Sequence, residues 1–246
     1  MNKKKETMVA YAFLSPTILT FIIFIVFPVC FSLYLSFTEW NFLSGFDGIK
    51  WVGLKNFSNL LRDRTFMHAV GNTFVYSIAT VPVSIIIAMA LAYLLNSRIY
   101  LKRTMRCFFF IPYISSAVAL AAVFKVLFRE NGPINMFLLN VFHLKSVPSW
   151  FSDSSVNKIP IIIFMIWTAI GYELVVYMGA LQNISSSYYE AADIDGANGF
   201  YKFMKITLPL LSPTTFYLVI VRFIAAFKLF SAVNIMTLGT PARSNT

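Results

Sequence analysis

Along most of this chain apolar residues neither alternate nor mark one helical face; they run together. Five stretches, residues 9–37, 71–95, 104–128, 159–181 and 208–236, are almost continuously apolar. A hydrocarbon core about 30 Å thick is crossed by roughly 20 helical residues, with every backbone polar group satisfied inside the helix. Each stretch is therefore expected to be a membrane span. The fourth holds one charge, Glu173, and the fifth holds Arg222 and Lys228. The first follows Lys3, Lys4 and Lys5, exceeds the apolar core of a signal peptide and lacks a small-residue cleavage site. It is expected to stay as an uncleaved span.

The connections have patterns of their own. "TEWNFLSGFDGIKWVGLKNFSNLLRDRTF", residues 38–66, sets Trp40, Phe46, Trp51 and Phe57 among glycine turns, as an ordered, partly interfacial segment would. In residues 132–144, Ile134, Phe137, Leu138, Val141 and Phe142 fall at helical spacing in a run too short to span, so a helix lying on the membrane or the protein's rim is expected. Residues 184–207 combine three acids with small residues. Ser187 and Glu190 have capping-box spacing, which predicts a helix from Tyr188; Ala191 and Ala192 keep it slim, and Gly196 can end it. Phe200, Phe203, Met204 and Leu208 then share one face, with Lys202 and Lys205 placed to reach lipid headgroups. The pattern predicts a short helix parallel to the membrane.

Composition confirms the class: 58% hydrophobic residues, 12% charged and a mean hydropathy of +0.72 lie outside soluble usage. With the N-terminus inside the cell, residues 1–8, 96–106 and 182–207 hold nine Lys and Arg in 45 positions. The external connections 38–70, 129–158 and 237–246 hold eight in 73. That bias, with Arg98, Lys102, Arg103 and Arg106 between spans two and three, places the N-terminus and residues 184–207 in the cytoplasm. The net charge of +10 then reads as topology and contact with anionic lipid, not as a nucleic-acid surface. Cys30 and Cys107 fall at membrane depth as packing residues, His68 and His143 stand alone, and no metal site or cofactor is expected. There is no phosphate-binding loop; the nearest approach, Gly48 to Gly53, is followed by Leu54.

A charge at mid-bilayer costs about 2.5–3.5 kcal/mol on insertion scales. Glu173 and Arg222 fall at similar depth on antiparallel spans. They either pair inside the protein or line a solute path with Trp167, Tyr172, Tyr177 and Asn234, where aromatic faces and polar groups suit a sugar.

The spacing Glu190-Ala191-Ala192, three residues, Gly196, nine residues, then Ile206-Thr207-Leu208-Pro209 resembles the signature loop of permease subunits in bacterial ABC importers. It is similar in particular to binding-protein-dependent sugar permeases of the larger maltose-transporter or first glycerol-phosphate-transporter type. "SFTEWN" (36–41), "GLKNF" (53–57), "AVGNTFVY" (69–76), "CFFFIPYISSAVA" (107–119) and "GPIN" (132–135) match in the family's order.

The resemblance implies one all-helical, type I importer transmembrane domain over 1–246, in a bacterial plasma membrane. It implies a second permease, two copies of an ATP-binding subunit and an extracellular solute-binding protein as partners, with hydrolysis left to the ATP-binding subunit. By the same resemblance Glu190 contacts that subunit, Ala191 and Ala192 allow close approach, Gly196 permits the turn, and Asp193 and Asp195 sit at the rim. The resemblance also implies a sixth span and an acid where Ser231 stands, with Gly before Pro where Thr240 precedes Pro241; the sixth span is expected but absent here. An ion-coupled carrier using Glu173 and Arg222 is the alternative. An intramembrane enzyme is disfavoured because no His, Asp and Ser share one depth.

Overall fold

The computed structural model describes residues 3–96, 102–143, 146–228 and 231–237, and Ser231 (as a side chain), Thr240 and Pro241 lie outside what it describes. The chain divides into two compact units between Met67 and His68, each taken by itself.

The first unit opens with α1 (Lys3–Phe21), a π-helical turn at Ile22–Val26 and α2 (Phe27–Ser36), together a helix long and apolar enough to cross a membrane. Pro16 has no N–H for the carbonyl of Ala12, and the Ser15 hydroxyl donates to that carbonyl at 2.8 Å instead. The π turn stands just ahead of Pro28, where a wider turn shifts the hydrogen-bond register away from the proline ring. A two-stranded antiparallel ribbon follows, β1 (Thr38–Glu39) against β2 (Lys50–Trp51), then α3 (Lys55–Arg62). Asn56 Nδ2 donates to the Ser36 and Thr38 carbonyls at 3.0 and 2.8 Å, and Phe37 stacks on Trp51 at 5.5 Å. The segment is ordered, as its aromatic and glycine pattern predicts.

α4 (Arg64–Asn96) leads into the second unit and is long and apolar enough to cross a membrane, as is α8 (Lys158–Gln182). The third expected span is not straight. α5 (Lys102–Ile114) and α6 (Ala117–Leu127) meet at 97°, because Ser116 is extended (φ −60°, ψ 120°) and starts a new helix. After α7 (Pro133–Phe142) and α8 come α9 (Ser186–Ile194), α10 (Gly199–Lys202), a π turn at Phe203–Thr207, α11 (Leu208–Leu210), α12 (Ser212–Phe227) and α13 (Ser231–Thr237). The fifth expected span, drawn as one helix over 208–236, instead begins by Gly199, bends by 63° at Leu211 and stops at Phe227. Pro209 and Pro213 remove two backbone donors around that bend. The described residues thus hold three helices long and apolar enough to cross a membrane, or up to five when each bent pair is one crossing.

Two apolar clusters hold the second unit together. One joins Val81, Ile85, Ala88 and Ala92 of α4 to Leu174, Tyr177 and Leu181 of α8, with Leu211 and Leu218; the other joins Tyr76, Phe124, Phe164, Met165 and Ala226. α5 crosses α8 closely: a Cβ on Gly171 would collide with the backbone carbonyl of Phe109. Small residues at such crossings let membrane helices approach where no hydrophobic force separates them from lipid. α7 exposes Met136, Phe137, Val141 and Phe142, the apolar face expected of a rim helix, and it is pinned by fully buried Asn135. The Asn135 amide donates to the carbonyls of Glu130 (3.0 Å) and Pro148 (3.2 Å), and its oxygen accepts from Trp150 Nε1 at 2.7 Å.

Candidate functional site

The acidic helix α9 is built by its two ends. Ser185, extended at φ −61° and ψ 135°, is its N-cap and accepts from the Ser187 N–H. The capping box expected at Ser187 and Glu190 does not form: the helix starts at Ser186, two residues before Tyr188, and the Ser187 hydroxyl bonds Ser185 Oγ at 2.8 Å. At the other end the Gly196 N–H donates to the Asp193 carbonyl and the Ala197 N–H to the Ala192 carbonyl, with Gly196 at φ +74°. This is the paired closure that needs a left-handed residue. Asn198 Oδ1 then caps α10 by accepting from the Tyr201 N–H at 2.8 Å.

Successive residues of a helix turn by about 100°, so Tyr189, Ala192 and Asp193 share one face, and Glu190, Ala191, Ile194 and Asp195 the other. The inward face is tied to the protein. Tyr189 shares a 2.9 Å hydroxyl bond with fully buried Thr207, and Lys202 Nζ holds Asp193 Oδ1 at 2.5 Å. Lys202, expected to reach headgroups, is engaged by this acid instead. Glu190, Ala191, Ile194, Asp195 and Gly196 are exposed, Ile194 by 88%, and Ala192 is half-buried. The outward face is an apolar residue flanked by two carboxylates.

Within the membrane, Glu173 of α8 is fully buried and Arg222 of α12 approaches it, Nε to Oε1, at 3.0 Å. Ser84 of α4 donates to the same Oε1 at 2.9 Å, so three helices meet on one oxygen. The contact is a pairing of charges and not an aligned hydrogen bond: neither Arg222 Nε nor Glu173 Oε2 has a hydrogen-bond partner among the described residues. Tyr177, also fully buried, donates to Thr215 Oγ1 at 2.9 Å. Tyr172 lies at the same level, its hydroxyl 3.0 Å from that of Tyr217 and its ring stacked on Tyr113 at 5.1 Å. Trp167 packs on Phe124 nearer the other cluster, and Asn234 is exposed on α13, so the structure does not bring those two to the charge pair. Ser84, Thr215 and Lys202 were not legible as partners, because ordinary polar residues in helices carry no signal until their neighbours are known. Among the described residues no three His, Cys, Asp or Glu gather where a metal ion could bind.

Residues 81–245 match the model of the binding-protein-dependent transport system inner membrane component family, and the chain belongs to that family. It is a multi-pass membrane permease. It is 34% identical over 238 residues to the probable ABC transporter permease protein YesP of Bacillus subtilis, covering 96% of this chain and 75% of YesP. It is 33% identical over 236 residues to the lactose transport system permease protein LacF of Rhizobium radiobacter, covering 96% and 78%. Its fold matches a chain in the structure of a bacterial alginate ABC transporter in complex with alginate pentasaccharide-bound periplasmic protein. There the TM-score is 0.81 at 24% identity, over 98% of this chain and 80% of that one.

Proposed function

We propose that this permease is one half of the membrane path of an importer for a carbohydrate, driven by a separate ATP-binding subunit that grips α9. The observation that carries the reading is the two-faced helix: one face fastened to the protein, the other displaying Glu190, Ala191, Ile194 and Asp195 to a partner. Glu190 and Asp195 supply charge, Ile194 an apolar plug, and Ala191 and Ala192 the slim flank that lets a socket close around it. Gly196 makes the turn beneath. Asp193, tied to Lys202, supports the helix from behind.

An extracellular binding protein delivers the solute, a reading the family's description as part of a binding-protein-dependent system supports, and a second permease completes the path. A carbohydrate is supported by the lactose and alginate transporters among the relatives. Tyr172 and Arg222, each partly exposed, line the path at the charge pair, where fully buried Glu173 and Tyr177 hold that lining in place; Trp167 and Asn234, away from the pair, would belong to a separate stretch of it. The charge bias supports an orientation in a bacterial plasma membrane with the N-terminus and α9 on the cytoplasmic side. Rigid-body closure of the ATPase pair would then rock this subunit's helices, as alternating access requires.

Extraction in mild detergent tests the reading: the chain should bring down an ATP-hydrolysing protein, and Gly196→Leu should lose it. Uptake that survives ATP depletion but vanishes with the ion gradient would establish an ion-coupled carrier instead. A cysteine at Ile194 should react with an impermeant maleimide only after cells are opened; labelling of intact cells would invert the topology.

A further inference from the structure

We infer that Asp193–Lys202 and Tyr189–Thr207 form a two-point strut fixing α9 to the base of α12, so that thrust on the peg turns the pore helix and does not bend the loop. The inference rests on the docking reading above and adds how a push is passed on. A nine-residue helix between Ser185 and Gly196 has no rigidity toward its neighbours from its own backbone. Two side chains one turn apart on its inward face supply it. Tyr189 reaches Thr207, whose hydroxyl lies at the last residue of the π turn and is fully buried. Asp193 reaches Lys202, the last residue of α10. Both ties therefore end on the single stretch Lys202–Thr207 that runs, through α11 and the 63° bend, into α12.

That stretch is itself braced. Tyr93 of α4 packs edge-on to Phe203 at 4.8 Å and its hydroxyl lies 3.4 Å from the Gly199 carbonyl, while Phe203 and Leu208 pack against the cluster containing Leu95 and Leu181. α12 carries Arg222, and through it Glu173 and Ser84. Load applied at Glu190 and Ile194 thus has a route of packed and bonded groups as far as the contact between Arg222 and Glu173. The Lys202 side chain is 20% exposed but that of Asp193 63%, so this tie is open to solvent on one side, and the bond from Tyr189 to fully buried Thr207 is the better shielded of the two.

The test uses the full chain with its copurified ATPase in nanodiscs, Cys30 and Cys107 replaced by Ser, and Phe216→Cys on α12 as a reporter labelled with N-ethylmaleimide. In the parent, ATP with vanadate should change the labelling rate. Lys202→Gln combined with Tyr189→Phe should keep the ATPase bound and hydrolysing yet shrink that change by roughly threefold or more. The exchange Asp193→Lys with Lys202→Asp, keeping Tyr189, should restore it. Unchanged reporting in the Lys202 and Tyr189 variant overturns the strut, as does failure of the charge exchange to rescue. Loss of the ATPase in that variant also overturns it, since the residues would then be part of the socket contact. A parent that brings down no ATPase refutes the docking reading itself, a result distinct from these.

Discussion

Glu173 and Arg222, on α8 and α12, meet at 3.0 Å, and Ser84 of α4 bonds the same carboxylate oxygen. The pair links three helices beside the apolar cluster that holds Leu174, Tyr177 and Leu218.

Removing one partner should therefore cost far more than removing both. Glu173→Leu or Arg222→Met leaves an uncompensated buried charge or an orphaned site, worth about 3–5 kcal/mol, while the double substitution should recover most of the loss. Thermal unfolding of the detergent-solubilised protein, followed for the two single variants and the double, checks this; a double variant whose Tm loss equals the sum of the two single losses would show that the charges do not interact.

At the α5–α8 crossing, Gly171→Ala should lower the unfolding temperature and Gly171→Val should lower it further, because the first side-chain carbon already meets the Phe109 carbonyl. A matched change at Gly179, where nothing stands within 4 Å of an added carbon, should be nearly silent. The two thermal shifts, measured side by side, separate the close approach from a general intolerance of α8.

How much of this was legible beforehand follows from what each signal measures. Hydropathy located every apolar stretch, because a run of apolar residues is a property of the chain alone. It could not see the 97° break at Ser115 and Ser116 or the 63° bend at Leu211, because both depend on which backbone groups find partners in three dimensions. Pro112, Pro209 and Pro213 and the Ser-Ser pair were available signals, outweighed by the apolar count around them. The charge pair was one of two readings open on depth, whereas Ser84 as its third member was not foreseeable. Capping spacing found α9 but put its start at Tyr188, since Ser185, Ser186 and Ser187 offer the same chemistry in three registers.

Gly196→Ala should cost about 1–2 kcal/mol of local helix stability, the price of a left-handed alanine, although no atom obstructs its side chain. Gly196→Asn should cost less, because asparagine visits that conformation. Hydrogen exchange at Ala197, whose N–H closes the helix on Ala192, reads the difference; identical protection in both variants would remove the backbone argument.

Asn135→Leu should loosen the loop beside α7. It strips donors from the Glu130 and Pro148 carbonyls and an acceptor from Trp150, at about 1–3 kcal/mol for each buried group left unsatisfied. Proteolysis between α7 and α8 should speed up accordingly, whereas Asn135→Asp, retaining an acceptor for Trp150, should fall between the two.

The order in which the chain is made gives the mid-membrane pair one more consequence. The carboxylate of α8 leaves the ribosome before the arginine of α12 exists, so during synthesis it must enter the bilayer without its counter-charge. Until α12 arrives, Ser84 is the ligand already in place, and a lost serine would be felt most in the yield of newly made protein reaching the membrane intact.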